Sequence, residues 1–274
     1  MTVRAARGSE RILPDAALAA LLLAGCVIEI PAGLWRTDAA WDARTPDNAR
    51  TSDIADRGAA DQRPVEQRPV DQHPVDGPTI VQLATFSKQV SAQANIYGAG
   101  HPTPPAPGGG GAGQLPVLVS LPAGVDREVQ FTSVTGSITC YSGHAPMPAD
   151  GEAAAGYLPW PSWDGLAGAI SQDLRPGLVA VFLDGTEPTD PPPAQLNVGD
   201  GKFTELGPVL RQVFWVGDGL SGTGSGTLQR FHVPASATRL FLGIVDRLYN
   251  TGTQPGYYQD NSGTYQVAGV VLGR

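Results

Sequence analysis

Two adjacent residues near the C-terminal end, Asp260 and Asn261, carry the clearest chemical potential in the sequence, inside PGYYQDNSGTY at 255–265. A carboxylate and a carboxamide offer hard oxygen donors, the kind that calcium gathers into shells of about six to eight. On a straight strand the two side chains would point to opposite faces. They can share an ion only where the chain bends, and Gly256 and Gly263 permit a bend. Asp246 closes the apolar run RLFLGIVD (239–246), where it would project from a sheet rim into the loop leading to the pair. Three oxygen-bearing side chains would then meet at one end of a β-domain. The plainer alternative is a β-turn at Asp-Asn-Ser-Gly, with Asp246 as a solvated strand end.

Other chemistries find less support. Gly217-Asp218-Gly219-Leu220-Ser221-Gly222 spells G-x-G-x-x-G, but the segment after it, LSGTGSGT, offers no helix to receive a pyrophosphate. Gly219-Leu220-Ser221-Gly222-Thr223 lacks the last glycine of a nucleophile elbow. His73, His101, His144 and His232 show no zinc-ligand spacing, among themselves or with Cys140. Cys140 sits in a strand-like run and reads as a small buried residue, and His232 as a residue on a solvent face. No catalytic constellation emerges, and nothing argues for an enzyme. A net charge of −8 disfavours nucleic acid, which needs clustered Lys and Arg.

The elements that must position Asp246, Asp260 and Asn261 are strands. With 35 Gly and 25 Pro, the chain favours many turns over a helical bundle. Eight short runs rich in Val, Ile, Phe, Thr or Leu follow one another from about Thr79. They are TIVQLATFSKQV, LPVLVSLPAG, REVQFTSVTGSITCY, GLVAVFLDG, LRQVFWVGDG, LQRFHVPAS, RLFLGIVD and TYQVAGVVLG. Each is bounded by Gly, Pro or Asp-Gly, and the Asp-Gly pairs at 164, 184, 200 and 218 are turn signals. The expected class is all-β: an antiparallel β-sandwich or jelly roll of about eight strands. HPTPPAPGGGGAGQ (101–114) reads as a flexible insertion, and DGTEPTDPPPAQLNVGDGK (184–202) as a surface excursion.

The N-terminal quarter reads differently. Arg4, Arg7 and Arg11 precede the apolar run 16–24, and Leu-Ala-Gly-Cys follows at 23–26. This order fits a signal peptide over 1–25, with an apolar core too short to span a bilayer. The small residues before Cys26 resemble a bacterial lipobox, which makes Cys26 the lipidation site and places the chain on the outer membrane or cell surface. Residues 26–77 read as a disordered tether with the repeat DQRPV, EQRPV, DQHPV at 61–75, too polar to offset its chain entropy by burial. Residues 78–274 then form the folded domain.

RLFLGIVD followed by PGYYQDNSGTYQV resembles the C-terminal half of the PA-IL-like calcium-dependent galactose-binding lectins. SVTGSITCY, RPGLVAVFLDG and FHVPASATRLFLG are similar to further strands of that family. The resemblance implies a calcium ion (Ca2+) held by the main-chain carbonyls of Tyr141 and Tyr257 and the side chains of Asp246, Asp260 and Asn261. It also implies that two sugar hydroxyls complete the shell, with Asp246, Arg247 and Asp260 orienting a galactose-type carbohydrate. Trp163 offers a surface for the sugar ring, or equally a residue of the core edge. A different class of function stays open, a structural or adhesive module in which calcium only fixes loops.

Overall fold

The computed structural model describes residues 79–153, 159–172, 174–248 and 253–274. The expected signal peptide, Cys26 and the tether lie outside them. The described strands are β1 (Val81–Ser91), β2 (Val117–Ser120), β3 (Glu128–Thr139), β4 (Glu152–Ala153), β5 (Ala169–Ser171), β6 (Leu174–Arg175) and β7 (Val179–Leu183). After them come β8 (Leu196–Gly199), β9 (Glu205–Leu206), β10 (Val213–Trp215), β11 (Leu220–Gly222), β12 (Ser225–Leu228), β13 (Arg230–His232), β14 (Arg239–Gly243) and β15 (Ser262–Gly273). Among the described residues no helix is long and apolar enough to cross a membrane.

Nine strands build the two faces of an all-β sandwich. One sheet runs β1-β15-β3-β13-β9 and the other β10-β7-β14-β2. Neighbours are antiparallel except β13 and β9, which run parallel. All eight expected strands are present. The short β9 and three two-stranded ribbons, β4–β6, β5–β8 and β11–β12, add to them.

Alternation along the strands decides which side chains enter the space between the sheets. In β3, Val129 and Phe131 are fully buried, and in β15 so are Tyr265, Val267 and Val271. Across from them stand Ala180 and Phe182 of β7, Phe214 of β10, and Leu240 and Leu242 of β14, all in the same cluster. Phe231 sits at the centre of an aromatic group. Its ring centroid lies 5.4 Å from Phe131, 5.9 Å from Phe203 and 5.3 Å from Phe214.

The run VAVFL of β7 does not alternate, because both its faces are covered. Val179, Val181 and Leu183 point away from the first sheet into a second apolar cluster, roofed by Tyr97, Trp160 and Leu166. The segment 184–202 helps to cover this side. Gln195 Nε2 donates to Trp160 O at 2.6 Å, and β8 pairs with β5. It is thus a cover for the second cluster, where its proline and charge content suggested only a surface excursion.

The Asp-Gly signals work locally as expected. Asp164 and Gly165 take φ of 48° and 78°, and Trp163 and Leu166 exchange two main-chain bonds of 2.9 Å across them, a two-residue hairpin turn. The G-x-G-x-x-G segment runs into the β11–β12 hairpin and no helix. Asp218 caps that hairpin, accepting from Leu220 N at 2.8 Å and Gly224 N at 2.6 Å. His232 lies exposed beside Glu205 and Glu128.

Candidate functional site

The pairing of β3 with β15 brings the distant halves of the site together. Thr139 stands opposite Ser262, and their hydroxyls lie 2.7 Å apart. Each step beyond this pair moves one strand toward Tyr141 and the other back toward Asp260. The register alone therefore sets Cys140 and Tyr141 against Asn261 and Asp260. The second sheet delivers Asp246 to the same place, three residues past the end of β14. Tyr141, Asp246, Arg247, Tyr257 and Asp260 all line one cavity of about 520 Å³, together with Cys140, Arg175 and Leu248.

Local hydrogen bonds hold Asp246 in place. The phenol of Tyr258, fully buried, donates to Ile244 O at 3.0 Å and accepts from Asp246 N at 3.0 Å. Gly256 N donates to Asp246 O at 3.2 Å, which ties the start of 253–274 to the end of the β14 segment. One carboxylate oxygen, Oδ1, accepts from Arg247 N at 2.7 Å. Asn261 is anchored through Nδ2, which donates to Ala92 O at 3.1 Å, while Gln93 Nε2 donates to Asn261 O at 3.2 Å.

This leaves two oxygens without a hydrogen-bond donor in the protein, Asp246 Oδ2 and Asn261 Oδ1. Their residues are 7% and 3% exposed. Buried acceptors without donors are costly, by roughly 1–3 kcal/mol each. Burial also pushes the Asp246 carboxyl up to about 7, with the Asp260 charge adding to the rise, while the Asn261 amide, the Arg247 N–H and the Arg175 charge oppose it. A proton or a cation at Oδ2 relieves that cost. Among the described residues no three His, Cys, Asp or Glu side chains converge on a metal position. A cation here would depend on two carboxylates, one amide oxygen and main-chain carbonyls, a set of oxygen donors that suits a hard ion.

The remaining assigned residues behave unequally. Tyr257 adopts φ 69° and ψ 20°, a left-handed conformation that turns the chain at the cavity edge. The carbonyl of Tyr141 already accepts from His144 N at 3.1 Å, which leaves one lone pair for another partner. The Arg247 guanidinium is committed to Pro159 O at 2.7 Å, so its side chain is held at the cavity wall. Trp163 does not line the cavity. It packs against the second apolar cluster beside the fully buried Trp160, because the Asp164–Gly165 turn folds it back over β7. Of the two alternatives for Trp163, the structure shows the core edge. Cys140 borders the cavity, and burial, with the Asp246 charge next, pushes its thiol up to about 12, which leaves it unreactive.

The loop 101–114 supports the site directly, contrary to the flexible insertion its composition suggests. Gly108 N donates to Pro255 O at 3.0 Å, and Tyr257 N donates to Gly109 O at 2.9 Å. Gln259 N and Tyr258 N donate to Gly110 O and Gly111 O, both at 3.2 Å. The run of glycines is what permits this approach. A Cβ at Gly110 would stand 2.5 Å from the Tyr257 ring, and the residue's φ is 62°. Asn95 closes the base of the loop, with Nδ2 donating to Pro105 O at 2.7 Å and Ala112 O at 3.1 Å. GGGG between turn-formers was the available signal, since glycine runs allow close backbone approach as readily as they allow motion.

Replacing Tyr258 by Phe tests how the loop supports Asp246. Loss of the phenol leaves Asp246 N without its acceptor in the core, while Ile244 O keeps the bond from Ile96 N, and is expected to cost about 1–2 kcal/mol, read by urea unfolding. An unchanged midpoint would show that the phenol does not hold this loop.

No model of a known protein family matches the chain, and no curated protein or solved structure matches it either.

Proposed function

We propose that the chain is a calcium-dependent carbohydrate-binding protein of the galactose-type lectin kind, held at a membrane surface by a lipid on Cys26. The observation that carries this reading is a pair of buried, donorless oxygens: Asp246 Oδ2, on a residue that lines the cavity with Asp260 and Tyr141, and Asn261 Oδ1, on the residue next to Asp260. Asp246, Asp260 and Asn261 would hold the ion through side chains, and Tyr141 and Tyr257 through main-chain carbonyls. When bound, the ion would supply coordination chemistry for vicinal sugar hydroxyls. The protein's own part is to fix the donors through β3–β15 register and the glycine platform. The cavity's volume is of the size that small-molecule sites occupy.

A glycan array run in calcium and in chelator tests the function. Calcium-dependent signals confined to galactose-type glycans are expected. Array binding that is absent in both conditions, with the calcium effect on melting intact, would favour a module whose loops calcium merely fixes.

Replacing Asp260 by Ala separates the metal from the fold. Asp260 is exposed, so the substitution is expected to shift the chelator-treated protein by about 0.5 kcal/mol or less. In calcium it is expected to lose most of the metal's stabilisation. Equal losses in both conditions would remove Asp260 from the site. Asn261 is the worse probe, because its Nδ2 bond to Ala92 O fails with or without metal.

A further inference from the structure

The cavity has a cationic wall that holding a metal does not require. Arg175, on β6, lines the same cavity as Asp246 and Asp260, and a positive side chain there repels a divalent ion. Its side chain is 10% exposed, and Nη1 pairs with Glu152 Oε1 at 3.0 Å across the β4–β6 ribbon. The same Nη1 lies 3.0 Å from His144 Nε2, which itself lies 3.1 Å from Glu152 Oε1. Nε is buried without a hydrogen-bond partner, so the guanidinium is only partly engaged by the protein.

We propose, resting on the calcium-lectin reading above, that the sugar taken by this cavity is acidic: a hexuronic acid whose hydroxyls meet the ion and whose carboxylate pairs with Arg175. The charge balance carries this. Among the described residues, with a divalent ion in place, the guanidiniums of Arg175 and Arg247 and the ion stand against the carboxylates of Asp246, Asp260 and the adjoining Glu152, one net positive charge at a cavity partly shielded from solvent. A neutral hexose leaves that charge uncompensated, whereas a uronate cancels it. The planar guanidinium matches a carboxylate better than any other side chain does. On the rim, Tyr141 is 48% exposed and Leu248 37% exposed, apolar surface suited to the C–H face of a pyranose ring.

Calorimetric titration of the full 274-residue chain with galactose, galacturonate and galactose 6-sulfate, each in calcium and in chelator, tests the proposal. Galacturonate in calcium is expected to bind about 10- to 100-fold more tightly than galactose at low salt, with the gap narrowing as salt rises. In Arg175→Gln the ratio of the two affinities is expected to collapse to near one, with the calcium-induced melting shift as the check that the chain is folded. Should that variant not fold, Arg175→Lys keeps the charge, loses the fork, and is expected to retain only part of the ratio. Galactose binding as tightly as galacturonate to the native chain overturns the acidic-sugar inference and leaves the lectin reading standing. A preference for the sulfate ester overturns the carboxylate assignment, and a ratio unchanged in both variants removes Arg175. Absence of calcium-dependent binding by all three sugars overturns the inference together with the reading it rests on.

Discussion

Asp246→Asn is expected to raise the melting temperature in chelator at pH 8 and to remove most of the rise expected of the native chain in calcium. The two effects have opposite signs and one origin. In the metal-free fold the Asp246 carboxyl is pushed up to about 7 by burial, against an ordinary value near 3.8. The folded state therefore holds a proton that the unfolded state has released. That contribution is fully present below about pH 4 and is lost as pH rises through about 7. At pH 8 the buried charge costs up to about 4 kcal/mol, since each tenfold change in proton affinity corresponds to roughly 1.4 kcal/mol. Asn keeps the carbonyl that accepts from Arg247 N and has nothing to ionise. In chelator the native chain should lose stability between pH 4 and 8, and the variant should show no such slope from this site.

Calcium is expected to offset that penalty in the native chain alone. An ion that binds only the folded carboxylate form stabilises by about 2.7 kcal/mol at a hundredfold excess over its dissociation constant. For a domain of this size that is a rise of roughly 5–10 °C. Asn in place of Asp removes the charge and most of that gain. Scanning calorimetry of both proteins, with calcium and with chelator, reads all four values. A variant that keeps the native calcium response would exclude Asp246 as a ligand.

Phe231→Ala is the largest expected loss of stability. Phe231 is fully buried and belongs to the first sheet, and through Phe214 it touches the second. It also meets Phe131 and Phe203 edge-on, at interplanar angles of 81° and 88°. Truncation leaves a cavity that three rings cannot collapse to fill, so the expected cost is about 3–5 kcal/mol. That is a large fraction of the 5–15 kcal/mol typical of a domain. Phe231 pairs with Val129, ten residues along β3 from Thr139, or about 30 Å at a strand's rise per residue. The calcium-induced rise in melting temperature should accordingly survive in this variant. A loss under about 1 kcal/mol in urea unfolding would show that the aromatic group does not join the sheets.

Strands whose one face is wet were legible because their periodicity survives in sequence. REVQFTSVTGSITCY and TYQVAGVVLG alternate, and they pair over almost their whole length in β3 and β15. VAVFL was legible as a strand for the opposite reason, an unbroken apolar run, though nothing in it names the second cluster behind it. Asp246, Asp260 and Asn261 could be proposed as a group because each lies at a strand end or a glycine-bounded bend. Two-residue strands such as β4, β6 and β9 leave no periodicity to read. The parallel pairings β5–β8 and β13–β9 join segments by long-range contact and carry no turn signal. Trp163 shows the limit of reading residue type: an indole suits a sugar face and a core equally, and only the fold-back at Asp164–Gly165 decides between them.

The glycine platform under 255–259 limits which residues this corner of the chain can accept. It grips the neighbouring loop through four main-chain bonds, and Gly110 and Gly111 lie directly against the side chains of Tyr257 and Gln259. A side chain added at Gly110 would therefore displace the Tyr257 ring along with the backbone that carries it. Substitution is costly at the glycines through which the loop is held, and at Tyr257, whose φ of 69° few side chains adopt.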